Sequence, residues 1–526
     1  LDEWDRRWVW IIGFTLVVLW PDAATPPRAA DAMRYHLAQM EDMVRHHGFV
    51  YRPYYHYNFP IYYAYLTTPL YFIVGGAGVK LFNFFVVMVV AAITYGIGRA
   101  AGIRRSLVPV LGVLLTPGIL QAATTVGNDL AVLAFALSGI LLLHGAIKTH
   151  DRSLIFVAYA AIGFAMGAKY QSMLFLPWYL WLTWVALERK LDWPRIQKLI
   201  LPGLVALLLP APFFIRNYLN TGDPIWPLQL DLFGVQHDFV YEMANRYSLG
   251  MMGRHNGSTM WTAFTQLMAS GSVIPTVPIF AFLGVVGLLW KRRDETHLYL
   301  PFGILSQILL WWIVQPSLNP RFWNYLIPQF MVLSLIAFEL LKNLWLRRFA
   351  LFAAAASIGL GIAILGFYSI SLFQYHLDGD LETYHDYTWF YDEYGWMNEN
   401  LPDDAHVLVM VLSGHTYYIP RDYLRADPLY SGLLDWRDLD AQSLYETMEE
   451  LDLDYVFYQD RDWGDAIGGQ EMMETMAEFV DRDDVHVIWE RDIRLGTSRM
   501  RNQTEDTRVW LLERVDPKAS THSLRP

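Results

Sequence analysis

Long apolar runs recur along the first two thirds of the chain and are separated by short polar segments. A helix needs about 17–25 mostly apolar residues to cross a hydrocarbon core of roughly 30 Å. Eleven runs come near this length, with ragged ends, so the pattern predicts a polytopic α-helical membrane protein with about eleven transmembrane helices. The predicted spans are 7–20, 79–98, 106–121, 128–147, 153–168, 172–187, 198–215, 273–290, 297–315, 322–341 and 350–373.

The charges between these runs predict the orientation of the chain. The apolar stretch 60–75 is short for a span and is interpreted as an interfacial or re-entrant helix. If the N-terminus is cytoplasmic, every predicted inner loop is then basic, as cytoplasmic loops are. The outer-face loops 21–78 and 216–272 and the C-terminal region are therefore expected outside the cytoplasm, in a multi-pass protein of the plasma (inner) membrane. The inner basic residues are Arg6, Arg7, Arg99, Arg104, Arg105, Lys148, Arg152, Arg189, Lys190, Arg195, Lys198, Lys291, Arg292, Arg293, Lys342, Arg347 and Arg348.

The balance of acidic and basic residues changes near Gln374. Residues 374–526 contain 34 Asp and Glu against 13 Lys and Arg, whereas residues 1–373 contain 18 against 27. Opposite net charges in two regions indicate two environments. We expect a transmembrane domain at 1–373 and a soluble extracytoplasmic domain at 374–526.

The C-terminal region alternates helix-like and strand-like runs, which predicts an α/β domain with a small, mostly parallel sheet. No G-x-G-x-x-G loop follows its first strand, so nucleotide binding is disfavoured. Acceptor recognition or partner docking is the expected role. The predicted helices are 386–400, 438–451 and 468–480, and the predicted strands are 405–412, 454–458, 485–490 and 508–513.

The composition agrees with a membrane protein. Hydrophobic residues make up 54% of the chain and charged residues 17%, against roughly 45–50% and about 25% in soluble domains. The 21 Trp and 31 Tyr are enough to form aromatic belts at both interfaces. The chain has no cysteine, which excludes disulfides, thiolate nucleophiles and cysteine-ligated metals. Because it opens at Leu1 and its first apolar run has no small-residue cleavage site, we expect an earlier natural start and no cleavable signal peptide.

Polar residues with catalytic potential collect in the predicted outer segments. Asp31 stands at the start of a helix predicted from about 31 to 46, after a proline-rich entry. A carboxylate there can cap the helix, can act as a base, or can do both. His46, His47 and His56 lie near several tyrosines, but adjacent histidines face different sides of a helix, which is poor metal geometry. An aromatic interfacial surface is the favoured interpretation.

Three cations stand where predicted spans meet the outer surface, although positive residues are expected mainly on the inner side. They are Lys169, Arg216 and Arg321, and each has a polar or aromatic neighbour, Tyr170, Asn217 and Asn319 respectively. Each cation alone is compatible with snorkelling to lipid headgroups. Three together favour a shared anion.

The order of the outer motifs resembles that of the GT-C superfamily of membrane glycosyltransferases. The similarity is to its family 39 relatives, the protein O-mannosyltransferases and the aminoarabinose transferase of lipid A, and it covers nearly the whole membrane part. The motifs are Asp31-Ala32-Met33-Arg34-Tyr35-His36-Leu37, Gly127-Asn128-Asp129, Gly167-Ala168-Lys169-Tyr170, Arg216-Asn217, Gly222-Asp223-Pro224 and Pro320-Arg321-Phe322.

This resemblance implies a transferase that moves a hexosyl or pentosyl group, with inversion, from a polyprenyl-phosphate lipid to an acceptor glycan, lipid or protein. It implies Asp31 as the catalytic base and Asp129 as a supporting acid. Attack on an anomeric carbon also needs cations for the departing phosphate, a role for the three outer cations. The family often has a second acid beside the first, where this chain has Ala32. No metal site or cofactor is predicted, although assistance by a divalent metal is left open.

The remaining candidate substrate contacts are the polar neighbours within these motifs. They are Tyr35, His36, Asn128, Tyr170 and Asn217.

Two other functions compete with the transferase. A non-catalytic subunit of the same fold in a larger membrane assembly is compatible with the sequence, and Ala32 keeps it open. A transporter would show intramembrane ionisable residues or paired broken helices in two halves, and no internal repeat is visible. Membrane lipids are expected partners, and nucleic acids are not.

Overall fold

The structure, a computed structural model, describes most residues of the chain. These residues divide into two compact units. The first unit is Leu1–Pro27, Pro60–Arg216 and Leu249–Gly379, and the second is Arg28–Phe59, Asn217–Ser248 and Asp380–Pro526. The described residues are 3–27, 29–190, 192–226, 276–291, 299–314, 324–345, 347–349, 352, 356, 359–363, 390–411, 416–463, 466–498 and 501–515.

The first unit is helical throughout the residues described. Its sequence is rich in apolar residues, and their burial against neighbouring helices forms the core. Its helices are α1 (Glu3–Ala23), α3 (Tyr62–Val74), α4 (Gly76–Ala100), α5 (Leu107–Leu114), α6 (Pro117–Ala123), α7 (Asp129–Thr149), α8 (Ser153–Ala168), α9 (Leu176–Ala186), α10 (Trp193–Leu208), α11 (Ala211–Thr221, shared with the second unit from Asn217), α12 (Thr276–Lys291), α13 (Tyr299–Val314) and α14 (Ile327–Leu340).

Among the described residues, α4 and α7 are each long and apolar enough to cross a membrane. The pair α10 and α11 would make a third crossing if its two helices, bent by 45°, form one span. Shorter apolar helices include α8, and further ones lie within 279–340. The chain is thus polytopic by helix length and composition, while the number of eleven spans stays a prediction.

Two predicted spans are interrupted. The run 106–121 forms α5 and α6, which are separated at Thr116 because Pro117 occupies the first position of α6. The run 172–187 starts within a 3-10 turn, Tyr170–Phe175, and only then continues as α9. The predicted span 350–373 lies mostly outside the described residues, as does the loop 227–275.

Close packing of α7 against α9 helps to hold the first unit together. A side chain at Gly139 of α7 would overlap the hydroxyl of Tyr179 on α9. That hydroxyl donates a hydrogen bond of 2.8 Å to the carbonyl of Ala136. Glycine therefore lets α7 and α9 approach closely, and the tyrosine satisfies its own buried hydroxyl there.

The second unit contains a five-stranded sheet with the strand order β2-β1-β3-β5-β4. Buried apolar residues cover both faces, so strands β1 and β3 are buried along almost their whole length. Its strands are β1 (His406–Met410), β2 (Asp422–Arg425), β3 (Tyr455–Asp460), β4 (Val485–Ser498) and β5 (Arg501–Arg514), and its helices are α2 (Leu37–Arg45), α15 (Tyr391–Asn400), α16 (Ala441–Glu450) and α17 (Gly469–Val480).

The sheet is mixed, so the expectation of a mostly parallel sheet is wrong. Strand β1 pairs in parallel with β2 and β3, whereas β5 pairs antiparallel with β3 and β4. Strands β4 and β5 follow each other closely along the chain, and such neighbours can pair only as an antiparallel hairpin. Strand β2, absent from the prediction, is only four residues long.

The second unit also contains the segment 29–59, which the sequence assigned to the membrane part. Tyr54 forms an antiparallel bridge with Ser431. The backbone N–H of Tyr55 donates to the carbonyl of Tyr430 at 2.9 Å, and that of Gly432 donates to the carbonyl of Pro53 at 2.8 Å. The first predicted outer segment and the C-terminal region therefore share one compact unit.

The distribution of basic residues predicts which loops lie outside the cytoplasm. Because the chain has no cysteine, a single introduced cysteine can be labelled to test this orientation. Glu450 and Thr149 are both exposed. Because the second unit is expected outside and the loop after α7 inside, Glu450→Cys should react with an impermeant maleimide in intact cells. Thr149→Cys should react only after permeabilisation. The opposite labelling pattern would reverse the predicted orientation.

Candidate functional site

The first group of candidate residues surrounds Asp129, the first residue of α7. The ammonium of Lys169 donates to its Oδ1 atom. The hydroxyl of Tyr325 donates to the same oxygen at 2.6 Å. These two donors stabilise the ionised carboxylate. The structure therefore joins Asp129 and Lys169, which the sequence had placed in separate roles, and adds Tyr325, which sequence reasoning missed.

Side-chain amides hold the turn that leads into Asp129. The Nδ2 atom of Asn83 donates to the carbonyls of Thr125 and Gly127 at 2.7 and 2.9 Å. Asn128 donates in turn to the carbonyl of Ala168 at 2.8 Å, at the end of α8. The turns that carry Asp129 and Lys169 are thus tied to each other through backbone groups.

The chain is extended at Lys169, where φ is −169° and α8 ends. Next to it, the ring of Tyr170 lies 6.1 Å from that of Phe213, measured between centroids. The guanidinium carbon of Arg216 lies 4.9 Å from the centroid of Phe213. Lys169 thus contacts a carboxylate, and Arg216 contacts an aromatic face. Arg321, the third predicted cation, lies outside the described residues.

A further cation in the first unit, Lys80, was missed by sequence reasoning. It is 2% exposed, and its ammonium donates to the hydroxyl of Thr25 at 2.7 Å and to the carbonyl of Pro26 at 3.4 Å. The carboxylate of Asp22 lies 3.7 Å away. A lysine near the start of an apolar run is expected to snorkel, so nothing in the sequence distinguishes Lys80 from a lysine at the membrane surface. A buried ionisable residue in a membrane helix is by default a candidate functional residue.

The second group of candidate residues begins with Asp31, in the other unit. Asp31 is partly buried and directly precedes a π-turn, Ala32–His36. Its side chain makes no capping hydrogen bond to this turn. The structure thus lacks the bond on which the capping interpretation depends. Isolated π-turns are frequent at functional sites.

Tyr35 and His36 of the π-turn lie in a buried aromatic group. Tyr35 stacks on the ring of His56, with centroids 4.5 Å apart and an interplanar angle of 4°. His36 lies 4.2 Å from Tyr35 on the same measure. Burial lowers the pKa of His56 well below its usual range; the positive charge of Arg34 lowers it further, whereas the negative charge of Asp31 opposes the shift. His56 is therefore a neutral packing partner, in keeping with the aromatic interpretation of this segment.

The other histidines of the segment do not join His56. His46 and His47 are exposed at the end of α2. Within the described ranges, no group of three His, Cys, Asp or Glu side chains is arranged to hold a metal ion.

Asn217 contacts the 3-10 turn that contains His56. Its Nδ2 atom donates to the carbonyl of Asn58 at 2.8 Å, and it is fully buried. The indole N–H of Trp226 donates to the carbonyl of Tyr55 at 3.1 Å. Both residues satisfy backbone carbonyls of the 3-10 turn Tyr55–Asn58, which makes Asn217 a structural contact in this unit.

Comparison by sequence gives little functional information. A family model described as a domain of unknown function (DUF8201) matches residues 72–327. No curated protein matches the chain.

Comparison by structure relates the fold to known membrane enzymes. ArnT from Cupriavidus metallidurans bound to undecaprenyl phosphate has a TM-score of 0.62 at 14% identity, covering 97% of this chain and 98% of that chain. Its apo state gives 0.61 at 13% identity with the same coverage. The apo oligosaccharyltransferase of Archaeoglobus fulgidus gives 0.55 at 15% identity, covering 86% of this chain and 69% of that chain. The chain thus has the GT-C fold, as the sequence predicted.

The pairing of Lys169 with Asp129 predicts an energetic coupling within the first unit. Lys169→Met should destabilise the protein because it leaves the Asp129 carboxylate without its cation, and adding Asp129→Asn should recover part of the loss. We expect a coupling free energy of about 1–3 kcal/mol from a double-mutant cycle in detergent.

The matched control is the more exposed pair Arg195 and Glu188, at 2.8 Å, for which we expect a clearly smaller coupling because solvent screens the charges. Equal coupling in the two pairs would show that the Lys169–Asp129 contact is not a significant constraint.

Proposed function

We propose that this chain, which has the GT-C fold, is a membrane glycosyltransferase that takes a sugar from a polyprenyl-phosphate lipid and passes it to an acceptor outside the cytoplasm. The observation that carries the proposal is Asp31 itself. It lies partly buried directly before a π-turn, in a chain aligned over 97% of its length with a structure of this fold. The acceptor classes are a glycan, a lipid or a protein.

The donor class is supported by the comparison with ArnT, whose structure contains undecaprenyl phosphate. We extend this lipid class to the present chain. A leaving phosphate needs nearby cations, and Lys169, Arg216 and Arg321 remain the proposed cations. The pairing of Lys169 with Asp129 is compatible with this role because an ammonium has three donors. In this proposal the supporting role of Asp129 is to orient the ammonium of Lys169, to which it is hydrogen-bonded.

The proposed reaction needs one base and no redox step. Asp31 accepts the proton of the acceptor hydroxyl as the hydroxyl oxygen bonds to the anomeric carbon. The bond between that carbon and the phosphate oxygen breaks, and its electron pair leaves with the polyprenyl phosphate. Attack from the face opposite the leaving group inverts the configuration. Tyr35 and His36, on the turn after Asp31, are proposed substrate-side contacts.

A second function, that of a non-catalytic subunit with this fold, is favoured by Ala32. In the GT-C family that this chain resembles, this position often holds a second acidic residue. Here it is a fully buried alanine of the π-turn. A single carboxylate suffices for base catalysis, so we place the transferase first.

The base role predicts the behaviour of Asp31→Asn. Asparagine keeps the size and the capping ability of aspartate but cannot accept the proton. We expect the variant to insert and fold normally and to transfer labelled sugar from a polyprenyl-phosphate donor about 10²–10⁴-fold more slowly.

The matched control is Asp42→Asn, which removes a carboxylate paired with Arg52 at 3.4 Å in the same segment. It should keep transfer close to the parental rate. Parental transfer by Asp31→Asn itself would refute the base assignment.

A further inference from the structure

The second unit contains a buried ion pair that the proposed mechanism does not use. Arg425 ends the edge strand β2, and its side chain is 2% exposed. Its Nε and Nη2 atoms donate to Oδ2 of Asp427 at 3.2 and 2.7 Å. The Asp427 side chain is 1% exposed. Burying such a pair is costly unless further hydrogen bonds satisfy its remaining donors and acceptors, so the other contacts of the pair are informative.

The remaining contacts of Arg425 reach the segment that carries Asp31. Its Nη1 atom donates to the carbonyl of Arg34, inside the π-turn, at 3.4 Å. Its backbone N–H donates to the hydroxyl of Tyr54 at 2.8 Å, and its guanidinium carbon lies 5.3 Å from the centroid of the Tyr54 ring. One residue of the C-terminal region thus contacts both the beginning and the end of the segment 29–59.

The other carboxylate oxygen of Asp427 binds a backbone group. Its Oδ1 atom accepts the backbone N–H of Tyr430 at 3.0 Å. The ring of Tyr430 lies 4.4 Å from the guanidinium carbon of Arg34. Arg425 therefore contacts the carbonyl of Arg34. The side chain of Arg34 contacts Tyr430, whose backbone is bound by Asp427. Arg34 follows Asp31 by three residues, about one helical turn.

We propose that Arg425 is a positioning residue for Asp31, because its guanidinium joins the buried Asp427 to the carbonyl of Arg34 and so fixes the π-turn that follows Asp31. The C-terminal region then contributes to catalysis by orienting the base. The catalytic consequence rests on the proposed function, whereas the contact itself does not. General-base catalysis depends on such alignment, and a displacement of about 1 Å can lower the rate ~10²-fold.

The test replaces Arg425 by lysine. Lysine keeps the positive charge beside Asp427, but its compact ammonium cannot reproduce the planar fork that serves Asp427 and Arg34 together. We expect Arg425→Lys to lower kcat about 10–100-fold, with the KM for the polyprenyl-phosphate donor changed less than about 2-fold. We also expect faster backbone hydrogen exchange in the peptide 29–37, with unchanged protection in β1 and β3.

Arg482→Lys is the matched control, because Arg482 and Asp484 have the same two-residue spacing. Arg482 donates to both oxygens of Asp484, from Nε at 2.7 Å and from Nη2 at 2.8 Å. Its third nitrogen donates to Gln442, at 2.9 Å, and so stays within the C-terminal region. This variant should change neither kcat nor exchange in 29–37.

Equal effects of the two variants would overturn the proposal. Loss of protection across β1 and β3 in Arg425→Lys would also overturn it, because Arg425 would then stabilise the whole unit. If the parental protein transfers no sugar, the proposed function fails and hydrogen exchange alone decides. Faster exchange confined to 29–37 would then support the positioning contact, and unchanged exchange would refute it.

Discussion

A charge removed from water must be paired, and this constraint organises both units. An unpaired buried ion costs several kilocalories per mole, whereas a paired ion with further hydrogen bonds can be accommodated. In the first unit Lys80 meets Thr25 and Asp22, and Lys169 meets Asp129. In the second unit Arg425 meets Asp427. Each pair joins a candidate functional residue, or the backbone next to one, to another part of its own unit.

Buried backbone N–H and C=O groups must also be paired, and this requirement explains the contacts of the segment 29–59. It is rich in tyrosine and histidine, and it contains a π-turn, a 3-10 turn and a short helix rather than one long amphipathic helix. Its polar backbone groups are satisfied by side chains such as Arg425, Asn217 and Trp226. This segment contributes the proposed base, and the rest of the second unit supports its irregular backbone.

The sequence predicts what depends on local pattern. Helices α4, α7 and α8 lie close to the predicted runs because apolar periodicity and run length determine them. The candidate acids and cations could be named because outer polar residues stand out against apolar spans. The GT-C fold could be named because the motifs occur in a recognisable order, and that prediction is confirmed.

What the sequence could not predict depends on contacts between distant residues. The contact of Arg425 with the carbonyl of Arg34 joins positions 391 residues apart. The pair of Lys169 and Asp129, 40 residues apart, depends on where α7 begins and where α8 ends. Strand β2 was missed because four residues give too short an alternation to recognise.

The most direct test of the transferase is to identify its lipid product. Membranes with and without the protein would be incubated with an isotope-labelled polyprenyl-phosphate sugar, and polyprenyl monophosphate would be followed by mass spectrometry. The account predicts that the monophosphate appears only with the protein, in equimolar amount with sugar transferred to an acceptor and with the anomeric configuration inverted. Donor lipid that is consumed no faster with the protein than without it would contradict the account.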